Sequence, residues 1–110
     1  MALIIRTDKP LFIINSIKQM IDNRIVDTWQ YDEDGDFTLS DEWRNKAWFS
    51  TVHNDNTLIF FLIGRNNVPM GYSEYSVYHG RLVELILNIF SNNIHDMTIS
   101  SSDDAPTLQP

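Results

Sequence analysis

The chain has no cysteine among its 110 residues. That excludes disulfides, thiolate metal sites, iron–sulfur ligation and a cysteine nucleophile, and it fits a reducing compartment without requiring one. Glycine and proline are scarce, four of each. The glycines are too few and too scattered for a phosphate-cradling loop, and neither H-E-x-x-H nor G-x-S-x-G occurs. Long hydrophobic runs are also missing. The longest, Leu58 to Ile63, is six residues, against the ~18 that a membrane-spanning helix needs. Basic residues are few, 8 against 15 acidic ones, and they form no cluster that could neutralise nucleic-acid phosphates. The first residues, Met1 to Arg6, carry no basic segment followed by an apolar core of signal-peptide length. The expectation is a cytoplasmic protein with neither a membrane nor a nucleic-acid partner, and with no cofactor.

What is present is a core. Hydrophobic residues make up 43% of the chain and aromatics 12%, the composition of one packed domain, expected over residues 1–100. The polar stretch 101–110 lacks periodicity and is expected to be a disordered tail.

The negative charge is local. Asp27 to Glu42 holds seven carboxylates and no Lys or Arg, and the eight acidic residues outside it balance the eight basic ones. Trp29, Tyr31, Phe37 and Trp43 are interleaved with the carboxylates. Such a segment suits a basic partner, a bound cation, or solubility alone.

Residues 2–6 read as a short buried strand. Ile13, Ile14, Ile17, Met20 and Ile21 recur at helical spacing, which predicts an amphipathic helix over 9–23 with Asp8 as its N-cap and Pro10 in the first turn. The acidic segment reads as a β-hairpin. A two-residue Asp34-Gly35 loop would split the aromatics between faces. A three-residue loop, Glu33-Asp34-Gly35, sets Tyr31 opposite Phe37 and Trp29 opposite Leu39, with Gly35 at the left-handed position. Residues 40–43 predict a capped single helical turn. Strands over 48–52 and 58–63 form a second hairpin. A long helix over about 71–91 follows, with Tyr75, Tyr78, Leu82, Leu85, Ile86 and Ile89 on its core stripe, then a short edge strand over 97–100.

These elements predict an α+β fold: an antiparallel sheet of four to five strands with two helices on one face. The run Leu58 to Ile63 does not alternate, so it is apolar on both sides. With both helices on one face, a partner subunit is the simplest cover for the other, and a homodimer is expected.

Three candidate sites emerge. Asp32, Asp34 and Asp36 surround Gly35. Aligned on a calcium loop, with Gly35 at the sixth position, the first ligand is Gln30 and the last Asp41, one methylene short of the usual glutamate, and the flanks read as strands. A solvated turn is the expected reading and a cation site the alternative. Gly80 lies inside the second helix, where it either allows close packing or opens a notch beside Tyr75, His79 and Arg81. Those side chains could bind a small anionic ligand, although Glu84 is also placed to pair with Arg81. Trp29 next to acidic groups could anchor an interface or belong to the core. His53, His79 and His95 show no metal-ligand spacing.

Two runs, YSVYHGRLVELIL from Tyr75 and WQYDEDGDFTL from Trp29, together with NKAWF from Asn45, resemble a family of small uncharacterised bacterial proteins over most of residues 25–95. The resemblance implies a compact bacterial α+β domain and assigns no catalytic residue. The residues themselves favour a non-enzymatic interaction module that presents the acidic hairpin to a basic protein. A ligand-binding protein or enzyme with a pocket at Tyr75, His79 and Arg81 is the alternative.

Overall fold

The computed structural model describes residues 1–100; the expected tail, 101–110, lies outside them. The order is β1 (Ala2–Arg6), α1 (Pro10–Asp22), β2 (Trp29–Tyr31), β3 (Phe37–Leu39), β4 (Ala47–His53), β5 (Thr57–Gly64), α2 (Tyr72–Phe90), a 3-10 turn (Ser91–Asn93) and β6 (Asp96–Ser100). The fold is α+β, and all six strands join one antiparallel sheet in the order β2-β3-β4-β5-β1-β6.

The sheet is larger than the expected four to five strands. The segment 96–100 pairs along the whole length of β1, so β1 lies inside the sheet with β5 on its other side. Its side chains alone are a weak strand signal, because only Met97 and Ile99 are large and apolar. The backbone partner offered by β1 decides the matter.

The first hairpin has the three-residue loop and the register that its aromatics demand. Trp29 faces Leu39, Tyr31 faces Phe37, and Gly35 has φ +82°. Both helices form where the apolar period places them, but α1 starts differently. Lys9, not Asp8, occupies the N-cap position, with no side-chain cap. The buried Thr7 hydroxyl accepts the Lys9 N–H instead (3.1 Å), while the Asp8 carboxylate lies 3.3 Å from His95 Nε2. The segment 41–46 is a pair of turns, closed by Arg44 N–H to Asp41 O and Lys46 N–H to Trp43 O, and not the helical turn expected there. At the start of α2, the Glu74 carboxylate accepts the Gly71 N–H (2.9 Å).

One core joins the layers. Ile13, Ile14 and Ile17 of α1 and Tyr78, Leu82, Ile86 and Phe90 of α2 pack with Leu3, Ile5, Phe49, Leu58 and Phe60 of the sheet. Ring contacts among Trp29, Phe37, Phe49, Phe60 and Tyr78 run through it at 6.1–6.3 Å between centroids. The Tyr78 hydroxyl has three partners: the Trp43 carbonyl, the Ala47 N–H (3.3 Å) and Thr38 Oγ1 (3.1 Å). The Trp43 carbonyl can only accept, so it takes the Tyr78 proton and Thr38 must donate to Tyr78. The hydroxyl is thereby saturated and holds the 41–47 segment onto α2.

Strand alternation puts Ala2, Ile4, Trp48, Val52, Ile59, Phe61 and Ile63 on the other face of the sheet. The ladders bring them together: Ile4 opposite Ile59, Ala2 opposite Phe61, Trp48 opposite Ile63 and Val52 opposite Ile59. Neither helix covers this face. Ala2 and Ile59 are nonetheless buried in it, at 0% and 3% exposure, while Ile4, Trp48, Val52 and Phe61 around them are half-buried and Ile63 is 41% exposed. The one charged pair between its strands is Arg6 with Asp96, joined by two-pronged hydrogen bonds at one corner. No helix among the described residues is long and apolar enough to cross a membrane.

Candidate functional site

The acidic hairpin stands at the sheet edge formed by β2. Its turn is built by its own carboxylates: Asp32 Oδ1 accepts the N–H groups of Asp34 (3.0 Å) and Asp36 (2.9 Å). The backbone closes it through Asp32 N–H to Asp36 O and Gly35 N–H to Asp32 O, both 3.0 Å. Each of Asp32, Asp34 and Asp36 has an oxygen within 4.8 Å of the others. Asp32 and Asp34 are exposed and Asp36 is half-buried. Partial burial raises the Asp36 pKa. The Ser50 hydroxyl opposes that shift, Asp32 and Asp34 add to it, and Lys18 opposes it again.

Lys18 is the feature that sequence reading missed. The hairpin has no basic residue of its own, but α1 brings the Lys18 ammonium to it. Nζ lies 5.5 Å from the Tyr31 ring centre and 5.9 Å from that of Phe37, and it would stand 2.9 Å from a Cβ added at Gly35. The turn therefore has a resident cation on its helix side. Asp22, one turn further along α1, accepts from the Tyr31 hydroxyl (2.6 Å).

The calcium-loop alignment does not survive the geometry. Asp41, its twelfth position, lies beyond the far end of β3, where it accepts the Trp43 N–H (2.9 Å) and pairs with Arg81 Nη1 (3.0 Å). Those two partners, the Trp43 N–H first, hold its pKa below the usual carboxylate value.

Tyr75 and His79 come together, with ring centres 4.3 Å apart, but they turn inward. His79 is 3% exposed and packs edge-on against Phe49 at 5.1 Å. Its Nδ1 is 3.0 Å from the Tyr75 carbonyl, so Nδ1 carries the proton and Nε2 is left bare and buried, without a partner among the described residues. Burial lowers the His79 pKa, against the pull of the Tyr75 carbonyl, and the amino terminus adds like-charge repulsion. Arg81 faces elsewhere, toward Asp41 rather than Glu84. Among the described residues, Tyr75 and His79 thus face the core while Arg81 faces Asp41, and the three do not converge. Gly80 explains none of this, since a Cβ there would meet nothing within 4 Å. It neither permits close packing nor opens a notch onto His79.

Trp29 is core, 3% exposed and stacked near Phe49 and Tyr78. Trp48, on the uncovered sheet face, is the half-exposed tryptophan with an apolar surround; Trp43 has Lys46 over its ring at 4.9 Å. The clefts beside α2 also went unread, because they arise only where the fold sets α1 and the segment 25–29 against it. Comparison with protein families, with curated proteins and with solved structures gives no match.

Proposed function

We propose that this protein is a non-enzymatic interaction module that pairs with a second copy of itself through the uncovered face of its sheet and offers the acidic hairpin to a basic partner. The uncovered face carries the reading. Ile4, Trp48, Val52, Phe61 and Ile63 lie together on three adjacent strands, part-exposed, with Ser50 the one polar side chain between Trp48 and Val52. Its centre has no charge, and the Arg6–Asp96 pair at its corner is internally neutral, so nothing on it selects a charged partner. A self-complementary apolar sheet surface packs on its own copy at the ~10 Å spacing of stacked sheets.

The hairpin is at the sheet edge, where Asp32, Glu33 and Asp34 remain exposed. A lysine-rich polypeptide would be steered to it, with a salt-sensitive rate.

Hydroxyl-radical footprinting at increasing protein concentration tests the pairing. Trp48 becomes protected as concentration rises while Trp43 stays equally reactive. Equal oxidation of Trp48 at every concentration would end this reading. For the hairpin, Asp32→Asn, Asp34→Asn and Asp36→Asn together slow capture of polylysine and leave the Trp48 protection intact; an unchanged capture rate refutes its role.

A further inference from the structure

Two adjoining clefts open along α2 on the helix side of the sheet, the first against the segment 25–29 and the second against α1. One, of about 280 Å³, has Val26, Trp29 and Leu85 in its wall. The other, of about 420 Å³, is walled by Phe12, Met20 and Phe90. Ile25 and Ile89 line both clefts and separate them. Ile25 is 70% exposed, Phe12 51% and Ile89 40%, which is costly apolar exposure for residues with no chemical task. From Arg81, which lines the first cleft, to Phe90, which lines the second, the groove follows α2 for roughly 14 Å at the helical rise, and the 3-10 turn extends it to Asn93.

Its charge is one-sided. Asp27 and Glu84, both exposed, flank the first cleft, and neither pairs with a cation among the described residues. The one cationic side chain there, Arg81, is committed to Asp41. A groove of this length with two apolar clefts and unpaired carboxylates at one end matches an amphipathic helix: apolar side chains about one turn apart enter the clefts, and a Lys or Arg beside them meets Asp27 and Glu84.

We infer that the groove along α2, bounded by α1 and the segment 25–29, is the docking site for a basic amphipathic helix of a partner polypeptide. This rests on the proposal of a basic partner and moves its specific contact from the hairpin to the groove, with the hairpin left to attract and steer. Apolar anchors desolvated in the clefts supply the affinity that surface charge alone does not.

The test is residue-resolved NMR titration of the full chain with a synthetic helical peptide about four turns long, leucines on one face and lysines beside them. A second peptide replaces the lysines with glutamates and a third the leucines with alanines. Saturable shifts at Ile25, Asn88 and Ile89 are expected with the first peptide alone. The exposed substitution Ile25→Ser, and Asp27→Asn with Glu84→Gln, should each weaken binding roughly tenfold. Shifts confined to residues 32–36 would overturn the groove while sparing the basic-partner proposal. Absence of binding anywhere would overturn both. Equal binding of the glutamate or the alanine peptide would overturn the groove's stated selectivity.

Discussion

Removing one oxygen from the core tests whether the Tyr78 network holds the 41–47 segment in place. In Tyr78→Phe the ring contacts with Trp29 and Phe49 persist, since only the hydroxyl is lost. Three groups then lack a partner: the Ala47 N–H and the Thr38 hydroxyl as donors, and the Trp43 carbonyl as acceptor. Ala47 is fully buried and Thr38 is 1% exposed, so water cannot readily replace the oxygen for either. A buried donor left unsatisfied costs about 1–3 kcal/mol. The carbonyl can turn toward solvent with its turn, which leaves two costly orphans; at about 1–2 kcal/mol each, the lower part of that range, they cost about 2–4 kcal/mol in all. That is a large share of the roughly 5–15 kcal/mol that holds a domain folded. With a urea slope of about 1–3 kcal/mol per molar, the midpoint should fall by roughly 1–2 M with the slope unchanged. Thr38→Val removes the other end of one of these bonds and orphans the Asn45 N–H that Thr38 accepts. The double variant should therefore cost less than the sum of the two singles, by about 1 kcal/mol. A loss below about 0.5 kcal/mol in Tyr78→Phe, or strict additivity, would refute the network.

Gly80→Ala should stabilise the protein by about 0.5–1 kcal/mol in the same urea assay, since a helix-interior glycine is replaced where the Cβ meets only open space; a loss of stability would mean that something packs on that position. His79 makes folding acid-sensitive. Its neutral ring is favoured in the fold by burial, so below about pH 6.5 the unfolded chain binds the proton more readily. The stability it contributes is complete above that value and declines as pH falls toward the lowered folded pKa. His79→Phe, which keeps a ring against Phe49, should show a shallower decline between about pH 6.5 and 5 than the parent; identical slopes would count against the burial argument.

How much could be read in advance depends on how local the cause is. The first hairpin was legible down to its register, because Gly35 and the alternation of Trp29, Tyr31, Phe37 and Leu39 admit only one loop that keeps the aromatics on one face. The helices were legible from the apolar period. β6 was legible only in part, since the backbone partner that completes it is β1, some ninety residues away. Helical spacing offers Glu84 to Arg81, whereas the fold brings Asp41 closer, and no spacing along the chain shows that α1 carries Lys18 to the Gly35 turn. A tyrosine in an apolar stripe gives no sign of where its hydroxyl ends, so the Tyr78 network was invisible. The same holds for the groove along α2, which exists only once α1 and the segment 25–29 are set against it.

The uncovered sheet face remains the centre of the account, and the solution mass tests it most directly. Light scattering after size exclusion, across a dilution series and at low and high salt, should give twice the 12.8 kDa of one chain. Because the face is apolar, that mass should be insensitive to salt. The exposed substitution Ile63→Glu should shift it toward a single chain while leaving the fold intact. A monomer at every concentration, with the parent sequence, would contradict the account.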